Sequence, residues 1–332
     1  MFAILGGFLM VSLVPVSTFY AAAQSYDVPV WIKTTSKWVA EGKISESDYI
    51  KEIQYVIQHG WLKLESKEEA GSPPGRLTPS LETIQAGQPK NCHDVTFPIV
   101  DWSNCNFSGA PLSNADLHDA NLVGINLSGA DLEKSYLLNA NLGHSNLNYA
   151  DMLNADMPYA HLQNASLVGV LGQFLDLRFA DLTGANLDNS FLGSSTINWA
   201  VLQNATFVNS DLNHSEFLGS DLSGINAKGA NFQESYMTGV NFTKANAPGA
   251  NFIDADLSNS NLTGTNLSGA NLQNAGLGNV IFKNANLASA NLTRADLGGA
   301  DLTGANLTNA DLTDAILAGA NLHCIGNPVC LH

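Results

Sequence analysis

Four of the eight histidines, those inside a long repetitive tract, two pairs of aspartates and four cysteines are side chains of this sequence that could do chemistry. His118, His144, His161 and His214 carry ring nitrogens able to bind a metal or relay a proton. Asp131 and Asp151 are twenty residues apart, as are Asp156 and Asp176, and each pair could hold a cation weakly. Cys92 and Cys105 lie before and inside the start of a long repetitive tract, and Cys324 and Cys330 lie at its other end. Asn106, Asn126, Asn164 and Asn241 open N-x-S/T sequons, which permit glycosylation in an exported chain. No Ser–His–Asp set or catalytic carboxylate pair stands out from this background, so no cofactor, metal or enzymatic activity is expected.

What these residues can do depends on the element that positions them. From about Phe97 to Leu322, every fifth residue is Leu or another apolar residue, with a small residue two places before it. The stretch ADLGGADLTGANLTNADLTDAILAGANL is the clearest part. About 46 such units follow one another without insertion or deletion. Residue numbers divisible by five hold the small side chain, and numbers ending in 2 or 7 hold the large one. A period of five fits neither a strand nor an α-helix. It suits a square coil of roughly twenty residues, with the small and large positions pointing inward as in a strand fragment. The two polar residues after each large one often end in Gly or Asn, which tolerate the turn geometry a corner needs. Asn or Asp before the large residue faces out and can bond to turn backbone or to the next coil.

With its A-(D/N)-L-x-x units, the tract resembles the pentapeptide-repeat family over about two-thirds of the chain. The resemblance implies a mainly β fold, a right-handed quadrilateral β-helix of between eleven and twelve coils, roughly 55 Å long at strand spacing. In some cytoplasmic members the acidic rod resembles duplex DNA and binds type II topoisomerases.

In steps of twenty, the four histidines fall on different positions around the coil, as surface residues would. The paired aspartates read as replacements for Asn in the repeat. At Val168–Leu175 the pattern is exchanged, with Gly172 at a large position and Leu175 at a small one, and a bulge or kink is expected. A bond between the two ends of such a rod would far exceed the Cα separation limit of about 7 Å. Cys92–Cys105 and Cys324–Cys330 are therefore the expected disulfides, each clamping an end, with metal binding as the alternative. Tyr159, Phe179 and Trp199 occupy one turn position in successive coils and should form an aromatic ladder, with His161, Asp181 and Val201 beside it. Tyr149, Leu171, Phe174 and Phe191 lie on other edges of the same region. Two readings stand: a docking patch formed by Tyr159, Phe179, Trp199, His161 and Val201, or an internal contact made by intercoil stacking or by the N-terminal module.

The first third is different. Residues 1–23 form an apolar run ending in an Ala-x-Ala site, expected to act as a signal peptide or an uncleaved anchor. Residues 27–65 show two amphipathic segments separated by Gly42 and Ser45, expected to form a small helical hairpin. The string VPVWIKTTSKWVAEGKISESDYIKEIQYVIQHGWLKL resembles a module appended to exported proteins of ammonia-oxidising archaea. Residues 66–91 are rich in Pro, Gly, Ser and Glu and read as a linker with a short cap. The repeat tract with its cysteine-clamped ends then fills 92–332.

The formal net charge is −16, of which about −15 lies in the repeat tract. That balance opposes attraction to nucleic acid or anionic lipid. The expectation is an exported, secreted or cell-surface, non-enzymatic structural or interaction protein. Its partner is a protein, a cell-surface component or a second copy of the chain, with membrane association through the N-terminal segment. DNA mimicry toward a type II topoisomerase is the alternative.

Overall fold

The computed structural model describes Cys92 and residues 100–331. The chain divides into two units, Met1–Pro73 and Pro74–His332, and all described residues lie in the second. The expected signal segment, helical hairpin and linker lie outside the described residues.

Residues 100–325 wind as a parallel β-helix of square cross-section. One bridge residue in each unit pairs in parallel with the residue twenty positions on, from Asp101↔Asn121 to Asp301↔Asn321. Four bridge columns result, starting at Asp101, Asn106, Pro111 and Asp116. Between bridges, the residue whose number ends in 4 or 9 has a positive φ, 57° at Asn104 and 66° at Gly109. The turn closes by a bond from the N–H of the small residue to the carbonyl three before, as in Cys105 to Trp102 at 3.1 Å. Positive φ at the third residue of a closed four-residue turn is the type II signature, and Asn and Gly occupy most corners because they reach it at least cost.

The backbone accounting explains the rest of the five-residue unit. In the unit at Asn126, the Asn126 N–H donates to Cys105 of the coil before, and Leu127 and Gly129 donate to Asn146 and Asn148 of the coil after. The Ala130 N–H closes the turn to Leu127. The remaining donor, the Ser128 N–H, goes to Asn126 Oδ1 at 3.1 Å. An outward Asn or Asp thus satisfies the one donor that neither coil nor turn can reach. Asp does this as well as Asn: Asp131 Oδ1 accepts from the Glu133 N–H and Asp151 Oδ1 from the Leu153 N–H.

Leu and Ala fill the interior, and from Leu117 to Leu307 the large inward side chains are shut off from solvent. Where the core turns aromatic, Phe232 and Phe252 stack with centroids 5.0 Å apart and Phe242 packs edge-on to both. Ala227 and Ala247 take large positions in those same coils, so volume is conserved. Several serines at small positions reach turn carbonyls of the preceding coil, as Ser215 Oγ donates to Leu192 at 2.8 Å and Ser220 Oγ to Ile197 at 2.6 Å.

The kink expected at Val168–Leu175 is not there. Bridges continue through Asp151↔Leu171 and Leu171↔Phe191, and the Gly172 N–H donates to Phe191 at 2.8 Å. The residue count per coil is unchanged, so the ladder has nothing to absorb. The bare Gly172 leaves room that Leu175 Cδ2 and Leu192 Cδ2 occupy. A swap of volumes within one coil replaces the expected bulge.

The two ends differ. Cys92 pairs with Cys105 at a Cα separation of 5.7 Å, beside Trp102 stacked on Phe107, and all four side chains are buried. At the other end Cys324 pairs with Cys330 at 5.0 Å, and Asn327 Nδ2 donates to the Ala310 carbonyl. Here Leu312, Leu317 and Leu322 are only partly buried.

Candidate interaction surface

A filled core leaves only the outside for recognition. Along most of the Asn106 column, and in parts of the Asp101 and Pro111 columns, outward side chains bond from coil to coil. In the Asn106 column, Asn126 donates to Asn106 and Asn146 to Asn126. Farther along, Asn246, Asn266, Asn286 and Asn306 each donate to the Asn twenty before. In such a ladder each amide donates one bond to the coil before and can accept one from the coil after.

Residues 149–201 break this pattern. Leu171 and Phe191 are bridge residues on adjacent coils of the Pro111 column, where they replace Asn or Asp. Tyr149 at the corner before them is 69 % exposed and lies over Gly169, whose added Cβ would meet its ring at 2.7 Å. Phe174 at the corner after them is 59 % exposed. Together these four form an apolar surface across one face and both its corners.

The ladder expected from the sequence sits on a different corner. Tyr159 and Phe179 stack nearly parallel, 4.9 Å apart. Trp199, the next rung, lies over Gly219, where a Cβ would collide with the indole. All three are only partly exposed, and Tyr159 and Phe179 offer each other the ring faces a ligand would use. Of the residues expected to bind, His161 and Val201 are exposed, on the neighbouring Asp101 column with Asp181 between them. That column and the Tyr149–Phe191 surface lie on opposite faces of the square, so the structure separates residues the sequence had grouped in one region.

Between the two aromatic corners runs the Asp116 column. Arg178 is buried, with Nε 2.9 Å from Asp176 Oδ1 and Nη2 2.6 Å from Asp176 Oδ2. Asn198 Nδ2 donates to Glu216 Oε2 at 2.9 Å, while its Oδ1 accepts from the Leu218 N–H. Asp176 therefore serves an arginine, not a cation shared with Asp156. Asp181 is held below the usual carboxylate range: burial pushes it up, but the Thr183 hydroxyl and N–H, the Gln163 amide and nearby His161 outweigh that. Elsewhere His118 Nδ1 lies 2.7 Å from Asp116 and His214 lies 3.4 Å from Glu234. Among the described residues no three His, Cys, Asp or Glu side chains group to hold a metal.

The family model for pentapeptide repeats matches repeatedly between residues 100 and 323, from 100–134 to 290–323. No curated protein matches. Among solved structures, HetL, a pentapeptide repeat protein involved in heterocyst differentiation regulation in the cyanobacterium Nostoc sp. strain PCC 7120, is 30% identical. That match covers 64% of this chain and 90% of HetL with a TM-score of 0.29. A pentapeptide repeat protein of the Arabidopsis thaliana thylakoid lumen is 35% identical over 29% of this chain and 67% of its own, with a TM-score of 0.28. QnrB1, a plasmid-mediated fluoroquinolone resistance protein, is 20% identical over 54% of this chain and 89% of its own, also at 0.28. Superposition this loose carries no functional argument.

Proposed function

The chain belongs to the pentapeptide-repeat family, and from that premise we propose that it is an exported, non-enzymatic interaction protein. Its β-helix presents the apolar side chains of residues 149–201 to a protein at the cell surface or outside it. One observation carries this reading: exposed Tyr236, Ile281 and Ile316 each replace a single outward position elsewhere, but Tyr149, Leu171, Phe174 and Phe191 are exposed together across one face and its corners. Exposed apolar side chains grouped on one face mark interaction sites more often than scattered ones do.

Export is supported by the apolar run of residues 1–23 and by the two cysteine pairs, which suit an oxidising compartment. The segment 27–65, read as a helical hairpin, would supply a second attachment, to a membrane or another chain. DNA mimicry toward a type II topoisomerase is less well supported. A net charge of about −15 over roughly 55 Å gives about one net charge per 4 Å, against about one per 1.7 Å in duplex DNA.

The test is a photo-crosslinking residue at position 191 of the full-length chain in intact cells, with a second at position 286 in the Asn ladder as control. The expected result is one protein recovered from position 191 and not from 286. Equal recovery from both positions, or nothing from 191, would overturn the reading.

A further inference from the structure

The charges around the apolar surface say more about its occupant, on the premise that residues 149–201 are the binding section. In the Pro111 column, Asp131 and Asp151 precede Leu171 and Phe191, and Asp211 follows them. Asp188 stands three residues before Phe191, where its Oδ1 accepts from the Val208 N–H. Most of the bases nearby are engaged; Lys228, at the same turn position as Asp188 two coils on, is exposed. Lys134 Nζ lies 2.6 Å from Glu133, His214 faces Glu234, and Arg178 is buried against Asp176. The rim is therefore predominantly carboxylate at both ends of the face.

The backbone beneath the surface has no room for an added strand. The Leu171 N–H donates to Ala150, Gly172 to Phe191, the Phe191 N–H to Val170 and Leu192 to Asp211, so the coils pair with each other above and below. Recognition must run through side chains, not through a shared ladder. An acidic rim repels anionic lipid, and a second copy of this face would bring carboxylates against carboxylates.

We propose that Tyr149, Leu171, Phe174 and Phe191 receive a cationic amphipathic segment of a partner protein, its apolar side chains seated on this face and its Lys or Arg side chains paired with Asp151, Asp188 and Asp211. The interaction is driven by apolar burial and steered by charge, so its affinity falls as salt rises.

The experiment is fluorescence anisotropy with the full-length protein and two labelled helical peptides of equal length, one of Leu and Lys and one of Leu and Glu. The Leu/Lys peptide is expected to bind saturably and at least tenfold tighter than the Leu/Glu peptide. The double substitution Leu171→Asn/Phe191→Asn should weaken that binding at least tenfold, and Asp151→Asn/Asp211→Asn should flatten its salt dependence. No saturable binding, equal binding of both peptides, or binding unchanged by the Leu171→Asn/Phe191→Asn pair would overturn the proposal. So would a partner crosslinked at position 191 whose contacting segment lacks Lys and Arg. That last outcome would leave the interaction reading itself intact.

Discussion

The coils carrying Asn226 to Asn306 and the coils from Tyr149 to Val201 share one backbone and differ on the outside. Both use the same corner geometry, with φ of 55° at Asn284 and 58° at Phe174. Both bury their large inward residues completely. In the first, the outward amides bond from coil to coil and cap the turn below, as Asn266 does for the Ser268 N–H. In the second, Leu171 and Phe191 have no oxygen to offer the turn, and the face gains apolar surface in place of that bond. The lesson is a division of labour. Inward and corner positions specify the coil, so outward positions can be given to recognition without loss of fold.

The sharpest way to test that division is to attack the shared part in both regions. Leu177→Ala and Leu267→Ala each remove a fully buried side chain from one region. Each should cost about 2–5 kcal/mol in urea unfolding, with similar values in the two places. A much smaller loss at Leu177 would mean that the apolar section is loosely packed.

Next in size is the corner under Trp199. Gly219 has φ of 65° and supports the indole, so Gly219→Ala adds both backbone strain and a collision with the ring. A loss of about 1–2 kcal/mol is expected, with a change in tryptophan emission as the indole is displaced. The same substitution at Gly269, where an added Cβ meets nothing, should leave tryptophan emission as it is.

In the polar region, Asn266→Ala removes a bond to Asn246, a bond from Asn286 and the cap on Ser268. The expected cost is about 1 kcal/mol, because half-exposed amides can return to water. Amide exchange should quicken first at Ser268.

A smaller effect is set by pH. The folded carboxyl of Asp181 is depressed, so its contribution is full above the unfolded value and is lost as pH falls through the folded one. Asp181→Asn should therefore lower stability slightly at neutral pH, flatten its decline below the usual carboxylate range, and match the parent once Asp181 is protonated. Urea midpoints measured down to acid pH check it.

The coil itself was legible because a five-residue period with no insertion admits few backbones. The Asn or Asp outward position followed from the chemistry of an otherwise unserved N–H. The exchange of Gly172 and Leu175 misled, because a bulge needs an extra residue and the sequence shows only a swap of volumes. The Tyr159–Phe179–Trp199 column was visible at steps of twenty. How much of each ring faces water was not. That depends on which way a corner side chain leans: Tyr149 lies on Gly169 with only Gly129 at the same corner one coil earlier, whereas Phe179 lies against Tyr159. Exposure at corners is set by the neighbouring coil, which a one-dimensional pattern reports poorly.

The most direct measurement is the unfolding free energy of the Leu171→Asn/Phe191→Asn chain against the parent. These substitutions restore the turn caps and extend the polar column toward Asp211. The account predicts a stability within about 1 kcal/mol of the parent, since Leu171 and Phe191 lose only the buried part of half-exposed side chains and two turn caps are regained. A loss of more than about 2 kcal/mol would mean that Leu171 and Phe191 hold the coil together, and the separation of fold from recognition would not stand.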